Sequence, residues 1–347
     1  MNRKLRLVLV LLAMATLVSS AAAAANKGSK TPASEKETPN QANSVLWRSP
    51  GDIRSRNLFF GPGGEAHAPH SIFTFVKEDM EGTNPKFDVH DENGVKWKVK
   101  LGVEARPETV ASRLVWAVGY SANEDYFLPE LRVENLPVRL RRGQKLVGPG
   151  GTFQNVRLKR YLDDEKRVGD WQWHSNPFSG TRELNGLRVM MALISNWDVK
   201  DENNAIYEKK HTGGAEGPEY VYMISDLGAS FGSTGRSWTH AGSKGNLNAY
   251  SHSRFISKDA ERYVDFNFPT RPAIIFIFNP REFISRLELR WIGKGIPSED
   301  VRWVGQLLAQ LSPQQVRDSF RAAGYSSDEV EGFSKAVEGR IAQLNKQ

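Results

Sequence analysis

"SNWDVKDENNAIY", Ser195 to Tyr207, is the stretch on which the fold turns. Asp198, Lys200 and Asn203 crowd into one short polar segment. A solvated turn is the simplest reading of such a run, so its neighbours decide what it is. Before it, "TRELNGLRVMMALISN" repeats Leu184, Leu187, Met191 and Ile194 at helical spacing. After it, "NAIYE" and "EYVYMISD" read as two short strands joined by the Gly-rich "KKHTGGAEGP". The second strand ends in Asp226-Leu227-Gly228. The polar segment is therefore a helix-to-hairpin junction.

Upstream, "SIFTFVKEDMEGTNPKFDVHDENGVKWKVKLG", Ser71 to Gly102, predicts three strands. Phe73 and Phe75, then Phe87 and Val89, alternate at period two, and Asn93-Gly94 is a hairpin signal. In the third strand Lys96, Lys98 and Lys100 share one face and Val95, Trp97 and Val99 the other. "EARPETVASRLVWAVGY" then turns helical, with Pro107 suited to the first turn and Val110, Leu114 and Val118 at helical spacing. Gly119 ends it. Two more strand-like segments follow, "YFLPELRVENLPV" and "TFQNVRLKRYL". Near the end, Ser312-Pro313 starts one helix that Gly324 stops, and "SSDEVEGFSKAVEGRIAQL" is a second, capped one.

A lysine on a third strand, a glutamate in the next helix, "DVKDEN" at a helix end and "DLG" after a hairpin come in that order. The order resembles the protein-kinase-like superfamily over most of residues 71 to 240. The spacing of Asp198, Lys200 and Asn203 matches a kinase catalytic loop, and Asp226-Leu227-Gly228 stands where kinases carry Asp-Phe-Gly. The resemblance implies an α+β, bilobal fold: a small antiparallel-sheet N-lobe with one helix, residues 44–165, and a mainly helical C-lobe, residues 166–347. It further implies ATP with Mg²⁺ or Mn²⁺. Lys100 is then the phosphate-holding lysine, Glu108 its ion-pair partner, Asp198 the base, Lys200 the γ-phosphate contact, and Asn203 and Asp226 the metal ligands. These residue types suit the chemistry. Phosphoryl transfer asks for positioning and charge neutralisation, and Mg²⁺ prefers oxygen ligands. Lys98 competes with Lys100, and Glu104 with Glu108, because each lies close by on its element.

The departures point to an atypical member, similar to HipA-like, phosphoinositide-kinase-like or secretory-pathway kinases. Asn196-Trp197 replaces the usual His-Arg, "DMEGTNP" has one glycine where kinases carry a Gly-rich loop, and no "APE" follows the DLG. Two rivals stand beside an active phosphotransferase acting on an unknown hydroxyl-bearing substrate. One is a pseudokinase or ligand-binding interaction module without catalysis. The other is an unrelated β-rich binding domain. The four motif residues Asp198, Lys200, Asn203 and Asp226 favour the enzyme.

Elsewhere the chain is less specific. Arg3, Lys4 and Arg6 precede the apolar "LVLVLLAMATLV" and the small residues "SSAAAAAN", which predicts a signal peptide over 1–25. Export to the periplasm or beyond follows, with no transmembrane segment in the mature chain. Residues 26–43 have no large apolar side chain and predict a disordered linker. There is no cysteine, hence no disulfide. The formal charge is +7, nearer +4 without the leader's three cations, and the basic residues are spread along the chain with one denser cluster at "VRLRRGQK", which argues against nucleic acid as a partner. His67 and His70 read as a loop pair rather than a metal site, and the tryptophans as core, with Trp171 and Trp173 as candidate cleft walls.

Overall fold

The computed structural model describes residues 43–82, 84–210, 217–233, 243–268, 284 and 287–347. The leader and all of the linker but Asn43 lie outside them. The described chain mixes sheet and helix, with six α-helices among the described residues. None is long and apolar enough to cross a membrane.

Five strands close into a barrel: β2 (Phe73–Asp79), β3 (Lys86–Asp91), β4 (Lys96–Lys100), β5 (Asp125–Glu134) and β6 (Thr152–Arg160), in the order β2-β3-β4-β6-β5. The short strand β1 (Ser44–Val45) belongs to another sheet. Antiparallel pairing runs through the barrel except at its seam, where Phe73 and Thr74 pair in parallel with Val133 and Glu134. The sequence reading expected an antiparallel sheet and missed this closure. A register shift interrupts the β2–β3 pairing between Phe75 and Lys77. The interior is filled as the alternation predicts, by Phe87, Val89, Trp97, Val99, Phe153 and Leu158. The Asn93-Gly94 hairpin is built on Asp91, whose Oδ1 accepts the N–H groups of Asn93 and Val95 and whose Oδ2 accepts Trp97 Nε1–H.

Helix α1 (Ala105–Ala117) runs from β4 back across the barrel. Its Val110, Ala111, Leu114 and Val115 join the larger core rather than the barrel interior. Its first turn turns Glu108 towards β4 and β6. Gly119 follows at φ +100°, where a Cβ would lie 2.2 Å from the Arg48 carbonyl oxygen. Gly119→Ala is therefore expected to lose about 2–4 kcal/mol through strain and overlap. Thermal unfolding should show this as a melting temperature about 4–8 °C lower.

The larger core also takes helix α2 (Arg182–Leu193), capped by Thr181, and a second sheet. That sheet is ordered β1-β9-β8-β7, with β7 (Glu165–Gly169), β8 (Asn204–Lys209) and β9 (Glu219–Ile224). Ser44–Val45 adds to β9 in parallel. Helix α3 (Leu247–Ser251) and a three-stranded sheet of β10 (Ile256–Ala260), β11 (Tyr263–Phe266) and β12 (Ile296–Pro297) come next. Helices α4 (Ser298–Leu308), α5 (Pro313–Arg321) and α6 (Ser327–Leu344) close the chain. Both α5 and α6 start on capping boxes, Ser312 with Gln315 and Ser326 with Glu329. Trp171 and Trp173 are buried in the core, packed edge to face at 4.9 Å. His67 and His70 diverge, the first towards Glu124 and the second towards Glu92.

Candidate active site

The last residue of β4 is the centre of the site. Lys100 Nζ is 2.7 Å from Glu104, 2.8 Å from Glu108 and 3.1 Å from Asp226. Lys98, two residues earlier, pairs instead with Asp79 and lies near the Tyr161 ring. Of the two candidate lysines, only Lys100 faces α1. Both candidate glutamates touch it, so the contacts do not choose between Glu104 and Glu108. Glu108 is held from two sides, because Arg157 of β6 reaches its other oxygen at 3.0 Å. Arg157 also donates to Asp125 at 2.7 Å.

The electrostatics follow from this crowding. Burial disfavours the Lys100 cation, but Glu108, Asp226 and Glu104 outweigh it and raise its pKa. Burial raises Glu108 to about 7, against the pull of Arg157 and Lys100. Burial also disfavours the Asp226 carboxylate, yet Lys100 and the Gly228 N–H hold it down at about 2. Asp226 is thus an anion at any physiological pH. Its side chain is 43% exposed, whereas those of Glu104 and Glu108 are buried.

The junction between α2 and β8 is tied to the same place by its backbone. Asn196 Oδ1 accepts the Asp198 N–H at 3.0 Å. Asn203 Nδ2 donates to the Asp198 carbonyl at 2.5 Å, and the Asn203 carbonyl accepts the N–H groups of Ser225 and Asp226. Lys200 stands at the N-cap position of the 3-10 turn Asp201–Asn203, with no capping bond from its side chain. The loop and the end of β9 therefore form one connected unit, in which Asn203 bonds the backbone of both Asp198 and Asp226, and the Asp226 side chain reaches Lys100. Trp197 directly precedes Asp198. Its Nε1–H donates to the Ser243 carbonyl at 2.9 Å, and its backbone N–H to Ala229, so it pins the segment after DLG. Gly228 must be small: a Cβ there would come within 2.8 Å of the Glu104 side chain.

The donors suit a hard divalent cation. Oxygens of Glu104, Glu108 and Asp226 lie within 4.8 Å of one another, the one such grouping among the described residues. Lys100 pairs with all three, and of the three carboxylates Asp226 is the one with a partly exposed side chain. The Asn203 bond to the Asp198 carbonyl uses Nδ2 and not Oδ1.

Solved structures similar to this chain are kinases. The Helicobacter pylori proinflammatory kinase CtkA aligns with 80% of this chain and 97% of its own, at 12% identity and a TM-score of 0.42. The Golgi casein kinase, solved with Mn and ADP bound, aligns with 80% of this chain and 75% of its own, at 11% identity and a TM-score of 0.29. No family model matches the chain, and no curated protein matches it. Likeness this distant assigns no role to any residue, and the reading of the site stands on its own geometry.

Several residues that build the site were not singled out in the sequence. Arg157 carries no clear signal, since in "VRLKR" it alternates with Val156 and Leu158 just as the neighbouring Lys159 does. Arg340 carries a clearer one. It falls on the apolar stripe of α6 between Val337 and Ile341, a place where a charge needs partners. Its guanidinium caps the end of α2, donating to the Leu193 carbonyl and to Ser195 Oγ, both at 2.8 Å. Ser195 itself sits at φ +52°. Lys244, which pairs with Glu104, has no signal beyond its place in a Gly/Ser-rich run.

Proposed function

We propose that this chain is an exported, atypical kinase: an ATP-dependent phosphotransferase that uses Mg²⁺ or Mn²⁺ and phosphorylates a hydroxyl of a protein or small molecule. The observation that carries it is the Lys100 cluster, a buried cation aimed by Glu104 and Glu108 and touching the exposed Asp226. A purely structural ion pair needs one partner; this lysine has three, one of them at the solvent boundary. In this reading the fold is bilobal and protein-kinase-like, with the barrel as its smaller lobe and the nucleotide between barrel and loop.

Each residue has a task the chemistry requires. Lys100 holds the nucleotide phosphates, and Glu108, itself fixed by Arg157, keeps the ammonium in place. Asp226 and Asn203 hold the divalent ion, which when bound neutralises phosphate charge. Asp198 takes the proton of the incoming hydroxyl, and Lys200 faces the transferred group. No arginine precedes Asp198 to read a phosphorylated loop, and Trp197 already anchors the segment after DLG. The kinase therefore needs no activation by phosphorylation there.

A lysine pair tests the assignment. Lys100→Met should weaken binding of ATP with Mg²⁺ by about 10²-fold, the order expected for losing a charge-assisted contact. Lys98→Met should leave it within about threefold, since Lys98 pairs with Asp79. Thermal shift against ATP concentration separates the two. Equal effects from both variants would overturn the assignment of Lys100.

A further inference from the structure

The outer face of the barrel carries a row of charges across four neighbouring strands. Asp79 of β2 pairs in register with Lys86 of β3, Lys86 with Lys100 of β4, and Lys100 with Arg157 of β6. Residues paired across strands point to the same side of a sheet, about 5 Å apart. Lys86 therefore stands beside Lys100, on the side where Lys100 meets Asp226.

Two of the three cations in the row are closely paired. Lys100 has its three carboxylates, and Arg157 has Glu108 and Asp125. Lys86 is held more loosely. Among the described residues one carboxylate lies near its Nζ, that of Asp79 at 3.8 Å, beyond hydrogen-bond reach. Lys98 already holds the same Asp79 oxygen more closely. The Lys86 side chain is nevertheless only 21% exposed. Burial lowers its pKa, and Lys98 and Lys100 push the same way while Asp79 and Asp226 oppose them. An ammonium so placed has donors to spare and little water to receive them. The turn before it, with its one glycine, is tied back. Asp79 Oδ1 accepts the Glu81 N–H at 2.9 Å, and the Glu81 and Gly82 carbonyls accept from Arg142. Lys86 Nζ comes up to this turn: a Cβ on Gly82 would lie 3.5 Å from it.

We propose that Lys86 is a second phosphate-binding lysine, which leaves Asp79 to Lys98 when nucleotide enters and donates to the phosphate chain that Lys100 holds. Its charge supplies at the β2–β3 turn what a glycine-rich loop supplies by covering the phosphates with its backbone. Asp79 is then a holding partner for the empty site, and it competes with the nucleotide for Lys86. The inference rests on the phosphotransferase reading of the Lys100 cluster.

Calorimetric titration of the full chain with ATP and Mg²⁺ tests it through two variants of opposite sign. Lys86→Met should weaken binding about tenfold, as expected for losing one charge-assisted hydrogen bond. Lys98 still holds Asp79 in that variant, so it should fold as wild type does. Asp79→Asn should tighten binding about threefold, because it removes the anion that competes for Lys86. The double variant should show the loss without the gain. A role confined to the fold would instead weaken binding in both single variants, and that result would overturn the proposal. So would a gain from Asp79→Asn that persists without Lys86, which would assign it to Lys98. Wild-type binding that Lys86→Met leaves within about twofold would overturn this inference alone. No binding of ATP by the wild type would overturn the phosphotransferase reading and this inference with it.

Discussion

Asp226→Ala is expected to abolish metal-dependent nucleotide binding, weakening it by about 10²–10³-fold, because a ligated cation contributes several kcal/mol of charge stabilisation. The residue is the exposed member of the carboxylate group around Lys100, and it is ionised because Lys100 and the Gly228 N–H hold its pKa near 2. Its loss should not unfold the chain. Glu104 and Glu108 still neutralise Lys100, and Arg157 still anchors Glu108. Asp226→Asn keeps the size and one ligand oxygen but not the charge, so it should fall between alanine and wild type. Calorimetric titration with ATP, with and without Mg²⁺, reads the series. An alanine variant that binds ATP and metal like wild type would show that Asp226 is only an ion-pair partner of Lys100.

Asp198→Ala is expected to separate chemistry from binding. General-base contributions are typically on the order of 10²–10⁴ in rate, and phosphoryl transfer should fall by that factor while nucleotide affinity stays within about threefold. The local backbone favours a clean result. The loop is held through the Asp198 carbonyl and N–H, which Asn203 and Asn196 engage, and alanine keeps both. Single-turnover measurement of phosphate transfer, beside equilibrium binding of ATP, distinguishes the outcomes. Equal loss of transfer and binding would mean that the side chain shapes the loop rather than taking a proton.

The residues whose placement follows from period and turn chemistry were legible in the sequence. The β3–β4 hairpin follows from Asn93-Gly94, α1 from the Val110–Leu114 spacing and the Gly119 stop, and α5 and α6 from their serine caps. Those signals are local, and each element could be read within a dozen residues. Which lysine and which glutamate meet could not be read. Lys98 and Lys100 share a strand face, and only the approach of α1 to the end of β4 distinguishes them. Barrel closure was equally hidden, since pairing of Phe73 with Val133 joins strands far apart in the chain. Arg157, Arg340 and Lys244 act across long sequence separations, and a buried cation in a strand or helix reads as a surface one until its partners are in place.

The central claim is that Lys100 and Asp226 bind a nucleotide with a divalent ion. Titration of the full chain with ATP, alone and with Mg²⁺ or Mn²⁺, followed by thermal unfolding, tests it most directly. A ligand that binds only the native state stabilises it by about 2.7 kcal/mol at a hundredfold excess over Kd. The account predicts a rise in melting temperature that grows with ATP, needs the metal, and disappears in Lys100→Met. No shift at millimolar nucleotide with either metal, or a shift that Lys100→Met retains in full, would contradict it.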